Sequence, residues 1–161
     1  MEDKELKQRK LYVAVILVSI VIIVICGCYL LFRKWGKDAN EKYFNEALDK
    51  MKLNLLMNSS GMRYSIKTSG HTVYVKFWTD GMTAAAKSAY DGDSDAFDSW
   101  AELKSSMSDL AKAYYKEFIL IDDAVIYLSL VNESNTDRDL LVFKDKELVY
   151  DVVTGYKKEG G

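Results

Sequence analysis

The chain has 161 residues and carries 22 Lys and Arg against 24 Asp and Glu, a formal net charge of −2. That balance excludes an ordinary nucleic-acid binder, which carries a basic stripe. There is no proline, and the two cysteines, Cys26 and Cys28, sit together near the N-terminus. Composition therefore excludes a Pro-rich linker and a disulfide framework in the remainder of the chain.

Residues 1–10 are rich in charge, with Lys4, Lys7, Arg9 and Lys10. They precede an uncharged run of 22 residues, Leu11 to Phe32. About 20 apolar residues suffice to cross the hydrocarbon core of a bilayer, so the run predicts a membrane-spanning helix over 11–32. Tyr12, Tyr29 and Trp35 fall where interfacial rings are favoured. Arg33, Lys34 and Lys37 then mark a juxtamembrane segment, 33–37, and with Lys42 they match the four cations of the N-terminal side. The flanking charges thus do not orient the helix. A short basic tail before the run has the form of a signal anchor, and long following domains translocate largely regardless of charge. The expectation is a single-pass protein of the cell membrane, with a cytoplasmic N-terminus and an extracytoplasmic C-terminal domain. The lipid bilayer and an unidentified envelope protein are its expected partners, and nucleic acid is not.

Ile25-Cys26-Gly27-Cys28 also resembles a lipobox, with Gly27 directly before Cys28. A lipoprotein anchored at Cys28 is therefore an alternative. Against it, Cys26 is an unusual residue for that position, and Tyr29-Leu30-Leu31-Phe32 continues the apolar run. Both cysteines equally suit a helix as small apolar packing residues.

Beyond the run, Phe44, Ala47, Leu48, Met51 and Leu55 recur every three or four residues and predict an amphipathic helix from Asp38 to Asn58. Met62, Tyr64 and Ile66, then Val73, Val75 and Phe77, alternate with polar residues on either side of Ser69-Gly70, the pattern of a hairpin. Met82 to Tyr90 is Ala-rich and favours helix. After the polar loop Asp91 to Asp95, the segment Ala96 to Phe118 predicts the longest helix of the domain. Its stripe is Phe97, Trp100, Leu103, Met107, Leu110, Ala111, Tyr114 and Phe118. Strands are expected at 124–132, 140–143 and 148–153, with 133–139 a polar turn and 157–161 a frayed tail. Short turns between strands predict an antiparallel sheet. The expected fold is α+β: a membrane-spanning helix, then one domain over 38–156 of order α-β-β-α-β-β-β, its helices packed on one sheet face.

The segments "HTVYVKFWTDG", "AVIYLSLVN" and "KDKELVYDVV", with the long helix among them, resemble small extracytoplasmic domains of unknown function in membrane- or lipid-anchored proteins of Gram-positive bacteria. The resemblance covers roughly 70–153 and lies in the pattern of strands and helix. It implies location and fold and carries over no site residue.

The acidic loop is the sharpest candidate for chemistry. An EF-hand loop needs oxygen ligands at its first, third, fifth and twelfth positions and glycine at the sixth. Asp91, Asp93, Asp95 and Glu102 have that spacing and make a Ca²⁺-responsive module an alternative function. Ala96 at the sixth position and Asp98 at the eighth depart from the pattern. The bland alternative is a solvated loop whose acids favour the following helix N-terminus. His71, the one histidine, has no nearby cysteine for a metal cluster and no evident nucleophile partner. Asn58-Ser59-Ser60 and Asn132-Glu133-Ser134 match the glycosylation sequon, which matters only in a eukaryotic secretory pathway. Tyr74, Trp78, Tyr127 and Tyr150 are candidates for a shared sheet face, as an interaction surface or as cover for the core edge. No arrangement of nucleophile, base and orienter stands out. The expected function is a non-catalytic binding or interaction domain with no cofactor other than the Ca²⁺ of the alternative.

Overall fold

The computed structural model describes residues 2–58 and 61–158, with side chains from residue 24 onward. Its elements are α1 (Glu2–Asn58), β1 (Arg63–Ser69), β2 (Thr72–Trp78), α2 (Met82–Tyr90), α3 (Ser94–Phe118), β3 (Val125–Asn132), β4 (Asn135–Lys144), β5 (Glu147–Asp151) and β6 (Tyr156–Lys157). The chain divides into two units after Lys42.

The first unit corrects the expected N-terminal organisation. One continuous helix, α1, runs through the expected span at 11–32, the juxtamembrane segment at 33–37 and the helix expected from 38. Among the described residues no helix is long and apolar enough to cross a membrane, so the membrane-spanning part of the expected fold is not supported. Residues 11–23 of the expected span lie outside the residues whose side chains are described. Gly36 does not break the helix, because a single glycine costs only about 1 kcal/mol relative to alanine.

The second unit contains a six-stranded sheet in the order β1-β2-β3-β4-β5-β6. It is mixed, which corrects the expected antiparallel sheet: β2 and β3 pair in parallel, from Thr72 opposite Val125 to Phe77 opposite Leu130. Neighbouring strands that run the same way need a crossover, and α2 and α3 provide it. All other neighbours are antiparallel hairpins. The β1–β2 turn is Gly70-His71, where Gly70 takes a positive φ of 55°. The β4–β5 turn places Asp145 at φ 57°, a conformation that Asp tolerates better than most residues. Its carboxylate accepts a hydrogen bond from the Ile126 amide at 3.0 Å, which ties the turn to the start of β3.

Alternation along the strands sends one set of side chains to the helices. Val73, Val75 and Phe77 of β2, Ile126, Leu128 and Leu130 of β3, and Leu141 and Phe143 of β4 join a single core with Phe44, Met51 and Leu55 of α1 and Trp100, Met107 and Phe118 of α3. The expected α3 stripe is largely the buried one. Leu103 and Leu110 pack on the core only partly buried, and Phe97 is exposed. Tyr114 is buried in this layer, and burial, with Tyr64 nearby, pushes its phenol up to about 12.

One polar group sits in the core. Asp151, at the end of β5, is fully buried. It accepts hydrogen bonds from Trp100 Nε1 at 3.0 Å, from the Val153 amide at 3.0 Å and from Lys104 Nζ at 3.0 Å. Burial works to raise its pKa, but the bonds from Lys104 and Trp100 and the charge of Lys104 outweigh it and hold the carboxyl below its ordinary value of 3.8. A buried carboxylate left without its partners would be strongly unfavourable, so the cluster fixes where α3 lies on β5.

Replacing Asp151 by Ala strands the Trp100 N–H and the Lys104 ammonium, and the expected loss is about 3–5 kcal/mol, the range for breaking a buried pair. Lys104→Met should cost at least as much, because it leaves the fully buried carboxylate without its cation, whereas the Lys104 ammonium stranded by Asp151→Ala is 30% exposed and can turn to solvent. Urea denaturation of both variants checks the order. The pH dependence has a definite sign. A carboxyl with a depressed folded pKa contributes its stability above the unfolded value, and that stability fades as pH falls below about 4 and through the folded value. The wild type should lose stability over that window more steeply than Asp151→Asn.

Candidate functional site

The helices cover one face of the sheet, and the opposite face carries a concave cleft. Thr72, Tyr74, Lys76 and Trp78 alternate with the core residues of β2 and so lie on this second face. The strand register extends it sideways. Tyr74 lies beside Tyr127, and Lys76 beside Ser129. Ser129 is opposite Val142, Val142 opposite Tyr150, and Tyr150 opposite Lys157. Register shifts between Leu130 and Val131 and between Val142 and Phe143 are β-bulges, which bend the strands that carry them. The result is a cleft of about 780 Å³, within the usual range for ligand sites.

Its floor is apolar, from Leu140, Val142, Val149 and Val152. The Tyr74 and Tyr127 rings stack with centroids 5.2 Å apart and planes 7° from parallel. Lys144 Nζ lies 5.7 Å from the Tyr127 centroid, a cation–π contact. Lys76 donates to the Thr136 carbonyl at 2.6 Å and pairs with Asp137 at 3.5 Å. Asp139 also lines the cleft. Desolvation raises its pKa above the ordinary value, against a hydrogen bond from Ser129 and the charge of Lys76.

Thr83 closes the cleft where α2 begins. That helix has no side-chain cap of its own at Gly81, and Glu133 of the β3–β4 turn supplies one. Its carboxylate accepts from the Thr83 amide at 3.0 Å and from the Thr83 hydroxyl. The hydroxyl bond is the main cause that lowers the Glu133 pKa. A negative group at a helix N-terminus is also favoured by the macrodipole.

Of the aromatics singled out in the sequence, Tyr74, Tyr127 and Tyr150 come together in the cleft. Trp78 follows on the same strand face but lies outside the lining. Lys76, on the polar face of the expected second strand, also lines it, with Arg138, Lys157 and Lys158, which escape sequence reasoning because β4 begins at Asn135, within the expected turn, and β6 lies where an unpaired tail is expected. Lys158 is itself anchored through its amide to the Val149 carbonyl at 2.9 Å, and residues 159–161 lie outside the described residues.

The four candidate Ca²⁺ ligands take other positions. Asp91 is the C-cap of α2, and Asp93 is the N-cap of α3, where it accepts from the Ala96 amide at 3.0 Å. Asp95 falls in the first turn of α3, and Glu102 lies two turns further along it. Only Asp91, Gly92 and Asp93 connect the two helices, so from Ser94 onward the expected ligand loop is helix. Among the described residues no three His, Cys, Asp or Glu side chains form a group that could hold a metal ion. Cys28 and Cys26 are free thiols on the exposed surface of α1. His71 packs on Phe44 with centroids 4.8 Å apart, and its Nδ1 lies 2.6 Å from an Asp123 carboxylate oxygen. This pair is outside the cleft.

Comparison with known proteins gives no match, whether to a family model, to a curated protein or to a solved structure.

Glu133→Ala removes the cap of α2 and should cost about 0.5–2 kcal/mol, as cap losses do. The depressed Glu133 pKa makes this contribution present above its ordinary value of 4.5 and lost as pH falls through the lower folded value. Thermal melts of wild type and variant should therefore converge in acid.

Proposed function

We propose that the domain is a non-catalytic binding module whose site is the cleft on the open face of the sheet. The observation that carries this reading is a concave, partly apolar face flanked by cations and left uncovered by the described elements of the second unit. Sheets of this kind usually bury one face and solvate the other. A solvated face needs no stacked tyrosines and no row of valines, whereas an interface combines aromatic rings with a polar rim. The non-catalytic part rests on the position of the one imidazole, which is bonded to Asp123 and packed on Phe44 away from the cleft. The cleft itself offers hydroxyls, ammonium groups and one raised carboxyl.

Selection of displayed peptides against the full chain tests this. Selected ligands should lose at least about tenfold in affinity for Tyr150→Ala, the order expected when a central interface aromatic is truncated. Lys112→Ala, on the exposed surface of α3, should bind them like the wild type. Ligands that bind Tyr150→Ala undiminished, while its circular dichroism matches that of the wild type, would place the site elsewhere.

A further inference from the structure

The charges of the cleft narrow its ligand, and this inference rests on the reading of the open face as the binding site. Four cations reach the lining against one carboxylate, in a chain whose net charge is −2. Two of the four are already committed. Lys76 is held by Thr136 and Asp137, and Lys158 pairs with Glu147. The one carboxylate, Asp139, is committed too, to Ser129 and Lys76. Arg138 and Lys157 remain, and among the described residues no carboxylate pairs with either.

Their spacing follows from the strands. Arg138 lies four residues before Val142 on β4, at most about 13 Å at ~3.3 Å per residue, because β4 is irregular opposite Val131. Val142, Tyr150 and Lys157 stand side by side across β4, β5 and β6, so Lys157 is displaced by two strand spacings, about 10 Å, and the two backbone anchors stand roughly 16 Å apart. An extended peptide crossing β4 and β5 obliquely presents same-side residues every ~6.6 Å, so residues four apart cover ~13 Å and the long Arg138 and Lys157 side chains span the remainder. The apolar floor between the two cations is Leu140 and Val142. Flat rings find little purchase on Tyr127, because Tyr74 occupies one region of its π surface and Lys144 another.

We infer that the cleft takes an extended acidic peptide: one carboxylate at Arg138, a second four residues along at Lys157, and an apolar side chain midway between them. Arg138 can grip the first bidentately, and Lys157 meets the second as a point charge.

The test is titration of the isotope-labelled full chain, followed by amide shifts, with three synthetic peptides of about seven residues, long enough to cover the ~16 Å between the two cation-bearing positions. All carry Leu at the centre. The residues two positions to either side are both Glu in one peptide, both Gln in the second and both Lys in the third. The Glu peptide should move amides of β3, β4 and β5 and bind about tenfold or more tightly than the Gln peptide, as two exposed ion pairs allow. The double variant Arg138→Glu with Lys157→Glu should reverse the preference toward the Lys peptide. That reversal would also show that the variant is folded. Equal binding of the Gln and Glu peptides at these amides would overturn the acidic inference and leave the binding face standing. Inorganic phosphate that reproduces the full set of shifts and displaces the peptide would reduce the site to an anion site and likewise overturn it. No shift with any of the three overturns it as well, and the display selection then decides the fate of the face separately.

Discussion

The parallel pairing of β2 with β3 is the constraint on which the rest of the domain depends. Two neighbouring strands that point the same way cannot be joined by a tight turn, so the chain must leave the sheet and return. It does so through α2 and α3, and the covering layer of the core is thereby built in the middle of the sequence. Val73, Val75 and Phe77 meet Ile126, Leu128 and Leu130 beneath that layer because the register places them side by side. Asp151 then fixes α3 on β5 from within the core, through bonds to Trp100 and Lys104. Well-packed apolar groups of the same volume could supply as much stability as a buried ionic contact. What the cluster adds is position, since Trp100 Nε1 and Lys104 Nζ reach one carboxylate only in one placement of α3.

The same topology explains the open face. Once β3 is in place, the chain continues as a meander whose turns, Glu133-Ser134 and Asp145-Lys146, are two residues long. Turns that short carry no segment across a sheet face, so none of these strands brings cover for the side opposite the helices. Residues that would be core in a three-layer domain, Val142 and Ser129 among them, therefore line a cleft. They are nearly buried even so.

Much of this was legible in the sequence wherever one physical signal acted alone. Period-two alternation located β1, β2 and β3, and helical spacing found the buried face of α1 from Phe44 to Leu55 and most of that of α3. Strand direction was not legible, because alternation is the same in parallel and antiparallel strands. The start of β4 was missed because Thr136 to Asp139 are polar on both faces, and only pairing with β3 makes them a strand. The pairs Trp100–Asp151 and His71–Asp123 join residues about 50 positions apart, a separation no local pattern reports. At the N-terminus, composition suggested a boundary at Arg33 and Lys34 that the backbone of α1 does not observe. Charged residues can end an apolar run without ending a helix, since Lys and Arg are good helix formers.

The cleft shows how a sheet face can be charged without being strongly attractive to every anion. Lys76 and Lys158 contribute little net field, because Asp137 and Glu147 stand beside them, and exposed pairs of this kind are also screened by salt. Their role is geometric: Lys76 ties β2 to the polar start of β4, and the pair of Lys158 with Glu147 ties the end of the chain to β5. Committed charges of this sort shape the walls, and the two cations left over give the face its direction. If this face is the binding site proposed above, selectivity depends less on the total charge than on the distance between Arg138 and Lys157, which is set by strand rise along β4 and by the spacing across β4, β5 and β6. A change in the register of β5 against β4 would move Lys157 relative to Arg138 by a residue. The bulge between Val142 and Phe143, which sets that register, is thus as much a part of the site as the side chains that line it.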